Sequence, residues 1–399
     1  MSAVRQWTIL SIFWAVNVIT GPHIVAQEPP QVGGTVVRFA TFNVAFNRRE
    51  AGQLAQDLDS GRHPKARQIA EIIQRVRPHV LLLNEVDYDA DGRAAQLFLD
   101  KYLNVGQGNQ QPIQYEYHFT AEVNTGVPSG LDLDQNGRTD DPGDAFGFGA
   151  FPGQYGMLVL SRYPIDPAHV RTFQKFLWKD MPQAALPVDP ESQTPYYSST
   201  VLDKFRLSSK SHWDVPIRIG EQTVHLLASH PTPPVFDGRE DRNGCRNHDE
   251  IRLWADYVHP DHGDYLVDDE GRRGGLSEGE RFVIVGDQNA DPMDGDSRNR
   301  AINQLLEHAH IQPTIPTSEG AVAAAAAQGR KNLEQTSDPA TDTGDFNDRS
   351  TGNLRVDYVL PSKNLHVVGQ GVFWPAPEQP GSDLVRASDH RLVWIDVQL

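Results

Sequence analysis

The sequence predicts a single elaborated α/β domain with long loop insertions, and three observations lead there. A helical pattern runs directly into a short buried strand near the N-terminus. Further short apolar runs recur along the chain. Neither an internal repeat nor a composition break divides them. With 399 residues, the chain could form one large domain or two ordinary ones, and its 38% hydrophobic content suffices for a sizeable core.

Residues 1–26 have the layout of a cleavable signal peptide. Arg5 precedes an apolar run from 7 to 20, followed by the turn-prone pair Gly21-Pro22 and the small residue Ala26. That run is shorter than the roughly 20 residues a spanning helix needs, so the expectation is export, to periplasm, cell surface or medium, without a stable membrane anchor. Residues 27–35 form a Pro/Gly-containing lead-in, and 36–399 the main domain. Within it 36–44 reads as a strand. Residues 64–77 carry Ala66, Ile69, Ile72, Ile73 and Val76 at helical spacing, Pro78 ends that pattern, and 80–83 is a short buried run. Further apolar runs lie at 157–160, 224–228, 282–285, 356–360 and 392–397. Asn247 with Glu250 three residues on reads as the N-cap and capping box of another helix. The Asp-, Gly- and Pro-rich stretches near 104–154, 180–200, 258–280 and 313–350 read as loops, the first and last being the main insertions. The alanine run 321–327 suggests a helical turn inside the last.

Thirty-six basic against 53 acidic residues give a formal charge of −17, which speaks against a broad basic face for long nucleic acid. A phosphate substrate remains compatible, because a divalent cation supplies local positive charge. Cys245 is the sole cysteine, so an internal disulfide is impossible. Its basic neighbours Arg242, Arg246 and His248 do not by themselves make a cysteine hydrolase.

The informative regularity is where polar residues follow the apolar runs. Glu85 follows LLLN, His230 follows HLLAS, Asp287 follows FVIVG, and Asn43 lies in the first strand. In an α/β fold such groups gather at one end of the sheet. Singly, each has a plain reading as a solvated charge, a structural histidine or a turn pair. Together they suit phosphate-ester cleavage, which needs a hard cation on carboxylate oxygens, an oriented water, and donors to the phosphoryl oxygens. Glu85 and Asp389 supply such oxygens, Asp287 positions water, Asn289 and His390 donate, and a carboxylate such as Asp357 orients an imidazole.

Seven strings carry a more specific likeness: ATFNVAFN (40–47), LLLNEVD (81–87), GMLVLSRYPI (156–165), LLASHPTPP (226–234), VIVGDQNADP (283–292), LRVDYVLP (354–361) and ASDHRLV (387–393). In content and order they resemble the motifs of the endonuclease/exonuclease/phosphatase superfamily, deoxyribonuclease-like metal-dependent phosphoesterases. The likeness implies two packed, mostly antiparallel β-sheets flanked by helices, a four-layer α/β sandwich. It implies Glu85 as central metal ligand, Asp389 as a second acidic ligand, and Asn43 acting through the metal's water shell or the phosphate. It further implies that Asp287 aligns the attacking water, Asn289 holds a phosphate oxygen, and His390, oriented by Asp357, stabilises the phosphoryl charge or shuttles a proton. His230 is left as phosphate contact or general acid. The implied cofactor is a divalent cation, Mg2+ first, with Mn2+ or Ca2+ as alternatives. This chain has Asn84 where members often have Gln, which implies an altered supporting contact.

Two loops carry additional expectations. Residues 237–250 offer Arg239, Arg242, Arg246 and His248 as candidate phosphate contacts, against an equal reading as a solvated loop. Residues 132–140 resemble the start of a calcium loop, with Asp132, Asp134, Asn136 and Asp140 as candidate ligands of a structural Ca2+ and Gly137 at the turn. The twelfth position is Gly143, with Asp144 one residue late. The preferred function is exported, metal-dependent hydrolysis of a small phosphomonoester or phosphodiester. The alternatives are an extracellular nuclease, or a calcium-dependent non-catalytic binding module, which would have lost Glu85, Asp287 or His390. No HExxH or Cys-rich spacing supports a zinc hydrolase. Substrate identity and oligomeric state are left open.

Overall fold

The computed structural model describes residues 34–399. The signal-peptide reading of 1–26 and the lead-in up to 33 lie outside the described residues. Among those described, no helix is long and apolar enough to cross a membrane.

The strands are β1 Val36–Asn43, β2 Val80–Asn84, β3 Tyr117–Phe119, β4 Met157–Ser161, β5 Arg171–Thr172, β6 His212–Ile219, β7 Gln222–Ser229, β8 Phe282–Asp287, β9 Gly344–Asp345, β10 Asn353–Leu354, β11 Asp357–Pro361, β12 His366–Val372 and β13 Val393–Gln398. They form a six-stranded sheet in the order β12-β13-β1-β2-β4-β3, a five-stranded sheet in the order β11-β8-β7-β6-β5, and the short pair β10-β9. Only β1 with β2 and β7 with β8 run parallel within the two large sheets.

Period-two alternation explains why the predicted strands read as unbroken apolar runs. Along β1, Val37 and Phe39 enter the core between the sheets, while Ala40 and Phe42 enter the core under the helices. Along β8, Val283 and Val285 face the other sheet, and Phe282 and Ile284 face helix Arg242–Tyr257. Both faces of each sheet are covered, so neither needs polar side chains. The layers are therefore helices, sheet, sheet, helices. Helix Pro64–Val76 packs Ile69, Ile72, Ile73 and Val76 on the six-stranded sheet. A buried ion pair ties the same sheet together: Arg38 on β1 binds Asp396 on β13 through Nε at 2.8 Å and Nη2 at 2.7 Å, with its guanidinium 4.0 Å from the Trp394 ring.

The capping-box reading of Asn247 and Glu250 is overturned. The helix begins at Arg242, and both residues are buried on its interior face. Asn247 donates to the carbonyls of Thr232 and Gln288, and Glu250 accepts from the backbone N–H groups of Ser209 and Thr232. Both bind loops of the molecule instead of their own helix end, which local sequence does not distinguish from a cap. The alanine run belongs to a ten-residue helix, Glu319–Gln328, capped by Ser318.

Candidate active site

Strand direction brings the polar residues together. Asn43, Asn84, Ser229 and Asp287 stand at the C-terminal ends of the parallel pairs β1/β2 and β7/β8. Asp357 opens β11, which runs antiparallel to β8, so it pairs in register with Asp287. His390 lies just before β13, antiparallel to β1. Ends of some strands and starts of their antiparallel neighbours thus share one edge of the sandwich.

Asp287 is the centre. Its Oδ2 accepts from Asn43 Nδ2 at 3.1 Å and lies 3.3 Å from His230 Nε2 and 3.6 Å from His390 Nε2. Its Oδ1 accepts from the Asn289 N–H at 2.9 Å. The residue is 1% exposed. Burial alone would raise its pKa, but the cationic His390, the His230 hydrogen bond and the Asn289 N–H outweigh it and hold the carboxyl well below its usual range. His390 responds in the opposite sense. Burial would depress it, yet the charges of Asp357 and Asp287 prevail and raise it to about 10. Asp357, 2.9 Å from His390 Nδ1, is pushed by burial to about 6. Between those values a charged imidazolium is clasped by two carboxylates. His230 is lowered, by burial first and then by the Lys210 charge, and is neutral at physiological pH.

The backbone is bent to make this approach. Ala45, Glu85 and Asn289, all within two residues of a strand end, have φ of 45°, 60° and 50°. Non-glycine residues in that region are uncommon, and they cluster at functional sites. Gly286 has φ 145°, and a Cβ there would lie 2.0 Å from the Ser229 carbonyl oxygen. Only glycine therefore allows β8 to deliver Asp287 so close to β7. Asn84, the departure from Gln, receives the Thr41 hydroxyl and the Asp287 N–H on its Oδ1, both at 3.3 Å, and so spans the two sheets. Ser388 explains the serine before Asp389-His390: its hydroxyl donates to the Asn43 carbonyl at 2.7 Å and accepts the His390 N–H at 3.2 Å.

His230, Asp287 and His390 of the cluster line a cleft of about 710 Å3, bordered also by Glu85, Asn289, Asp389 and Lys210. Glu85 uses Oε1 to accept from Asn43 Nδ2 at 3.1 Å and leaves Oε2 unengaged, and Asp389 is exposed. Two carboxylates with available oxygens at the mouth of a buried polar cluster fit a hard divalent cation. Asn43 takes the Ala45 N–H on its Oδ1 at 3.1 Å, and its Nδ2 joins Glu85 to Asp287, so its amide positions the Glu85 carboxylate. The Nδ2 of Asn289 is likewise engaged, by the Pro231 carbonyl at 3.1 Å.

The candidate phosphate contacts are not brought to the cluster. Arg239 is exposed and paired with Glu191, and His248 bonds Asp249. Arg246 borders the cleft, but its guanidinium donates to the carbonyls of Leu207, Phe146, Arg206 and Ser208. Cys245 is buried, and its thiol is pushed up to about 12 by burial, the reverse of an activated nucleophile. In the acidic loop, carboxylate oxygens of Asp132, Asp134 and Asp144 lie within 4.8 Å of one another. Asp140 is turned to Arg138 instead, and the Asn136 oxygen accepts the Arg138 N–H, because the chain reverses within the loop and brings Asp144 inward. Two cleft residues escaped sequence reasoning. Phe346 stands edge-on to His390 at 5.3 Å, and Lys210 is buried beside the cluster; neither belongs to a recognisable local pattern.

Residues 40–390 match the Endonuclease/Exonuclease/phosphatase family. Among solved structures, the chain is similar to an endonuclease/exonuclease/phosphatase from Beutenbergia cavernae DSM 12333, at 19% identity over 91% of this chain and 72% of that one, with a TM-score of 0.50. It is also similar to a family protein from Leptotrichia buccalis C-1013-b, at 14% identity over 91% and 100% of the chains and a TM-score of 0.45. Sphingomyelinase C from Streptomyces griseocarneus gives 14% identity over 91% and 99%, with a TM-score of 0.43. No curated protein matches the chain in sequence. At such identities the likeness to the first structure speaks for the fold alone.

The His390 charge yields a test. Its folded-state value is raised, so its contribution to stability is present below the ordinary histidine range and is lost as pH rises through about 10. Asp357→Asn removes one of the two carboxylate charges responsible. An NMR titration of His390 should show its pKa falling by a unit or more, about 1.4 kcal/mol or above, and the alkaline loss of stability moving to lower pH. An unchanged His390 pKa would contradict the assignment.

Proposed function

The chain belongs to the Endonuclease/Exonuclease/phosphatase family, and from that premise we propose that it is an exported, metal-dependent hydrolase of phosphate esters acting by water attack on phosphorus. The observation that carries this reading is the convergence of His230, His390 and Asn43 on one oxygen of Asp287, beside the free carboxylate oxygens of Glu85 and Asp389. A divalent cation on Glu85 and Asp389, Mg2+ in the first instance, supplies positive charge for the phosphoryl oxygens. The chain's own groups do the rest. Asp287, kept ionised by its donors, aligns the water with the help of Asn289. As the bond from that water to phosphorus forms, the bond to the leaving oxygen breaks. The proton shed by the water passes to the Asp287 carboxylate. The His390 imidazolium stabilises the phosphoryl charge or gives its proton to the leaving oxygen and is then recharged from Asp287, Asp357 orients the imidazole, and neutral His230 contacts the phosphate.

A cleft of about 710 Å3 and a charge of −17 favour a small soluble phosphomonoester or phosphodiester over a long polynucleotide. An extracellular nuclease is the nearest alternative. A non-catalytic binding module is disfavoured by the presence and convergence of Glu85, Asp287 and His390. Export rests on the pattern of residues 1–26. The acidic loop is proposed as a structural calcium site through Asp132, Asp134 and Asp144, shaping the cleft wall to which Asp134 and Gly143 contribute.

A panel of phosphomonoesters and phosphodiesters, with Mg2+, Mn2+ or Ca2+ and with EDTA, tests the enzymatic reading. Wild type should release product in a cation-dependent way, and Asp287→Ala and His390→Ala should each lose about 10²- to 10⁴-fold in kcat. Activity surviving in both variants would sink the assignment, and a wild type inert on the whole panel would sink the function. For the loop, calcium should raise the melting temperature of the wild type but not of Asp134→Ala; an equal rise in both would remove the site.

A further inference from the structure

The cleft that is proposed to bind phosphate is lined by more carboxylates than cations, among them Glu85, Asp287, Asp291, Asp294 and Asp389. An anionic ester entering it meets repulsion unless a fixed positive charge waits inside. Three basic side chains border the cleft: Lys210, Arg242 and Arg246. Arg242 is paired with Glu240, and the Arg246 guanidinium is engaged by backbone carbonyls. Lys210 differs from both. It is 6% exposed, and its ammonium makes no hydrogen bond or ion pair with any described residue. Its field nevertheless reaches Glu85, Asp287 and His230. An ammonium that lines the cleft, largely withdrawn from solvent and with its donors not taken up by the protein, is available to an anion entering beside the catalytic cluster.

The position of Lys210 is preset. Its carbonyl accepts the Asn124 N–H at 2.8 Å. The neighbouring Ser209 N–H is held by the buried Glu250 carboxylate at 2.5 Å, and the other oxygen of Glu250 takes the Thr232 N–H at 2.7 Å, two residues beyond His230. One carboxylate therefore fixes the chain at both Lys210 and His230, and no reorganisation is needed when an anion arrives.

Resting on the phosphoesterase reading above, we propose that Lys210 is the phosphate anchor of the cleft, its ammonium donating to a non-bridging phosphoryl oxygen of both substrate and inorganic phosphate. The competing account is structural: Lys210 would serve only to offset the buried charge of Glu250, the carboxylate that acts on it most strongly.

Calorimetric titration with inorganic phosphate, in EDTA and in Mg2+, separates the two when run beside melting temperatures. Wild type should bind phosphate, and Lys210→Met should bind it about ten- to hundredfold more weakly, as expected for one charge-assisted hydrogen bond, with a similar rise in KM for any ester cleaved. Lys210→Arg should fall between. Adding Glu250→Gln to Lys210→Met should recover melting temperature but not phosphate affinity. Wild-type affinity in Lys210→Met, recovery of affinity in the double variant, or no phosphate binding by the wild type would each overturn the proposal. If Lys210→Met does not fold, reductive methylation of the wild type read by mass spectrometry decides: phosphate should shield Lys210 but not the exposed Lys363, and equal labelling with and without phosphate overturns the anchor. Ester cleavage by a wild type whose phosphate affinity is unmoved in Lys210→Met refutes Lys210 alone, whereas a wild type that cleaves no ester refutes the parent reading.

Discussion

A carboxylate kept charged inside the protein, that of Asp287, is the constraint around which the rest is arranged. Left alone at 1% exposure it would take up a proton or unfold its surroundings. It stays ionised because donors converge on it from separate parts of the chain: Asn43 from β1, His230 after β7, His390 before β13 and the Asn289 N–H after β8. Removing any one donor leaves the others aimed at a less compensated charge, so site and sandwich stabilise each other.

Sheet packing supplies the geometry. The two sheets meet through a shared core, and their parallel pairs end on the same edge. Asn84 and Asn43 cross from one sheet to the other at that edge, and Gly286 removes the one side chain that would hold β8 away from β7. Left-handed backbone at Ala45, Glu85 and Asn289 turns the chain sharply after β1, β2 and β8, so the carboxylates and amides face one cleft.

Strands buried on both faces are what made much of this fold readable in sequence. β2, β4 and β8 carry unbroken apolar runs, and the polar last residues of β2 and β8, Asn84 and Asp287, mark the site. β6 was not legible, since His212, Asp214 and Arg218 break its pattern. Asp214 is nonetheless buried because His225 and Tyr257, remote in sequence, bond it. Tertiary partners also decided Asn247 and Glu250, whose spacing imitates a cap while their side chains hold loops at 209, 232 and 288. Of the site, Glu85, His230, Asp287, Asp357, Asp389 and His390 announced themselves through ordered motifs. The orientation of the Asn43 amide, the engagement of Arg246 and the unpaired ammonium of Lys210 depend on distances that no local pattern encodes. The acidic loop shows the same limit, since counting positions favoured Asp140 and folding brought in Asp144.

The central claim is that water, aligned by Asp287, attacks phosphorus. Hydrolysis in ¹⁸O-enriched water tests it most directly. The account predicts one ¹⁸O in the phosphorus-containing product, none in the released alcohol, and loss of the labelled product in Asp287→Asn with the fold intact. Label in the alcohol, or unchanged labelling by Asp287→Asn, would contradict it.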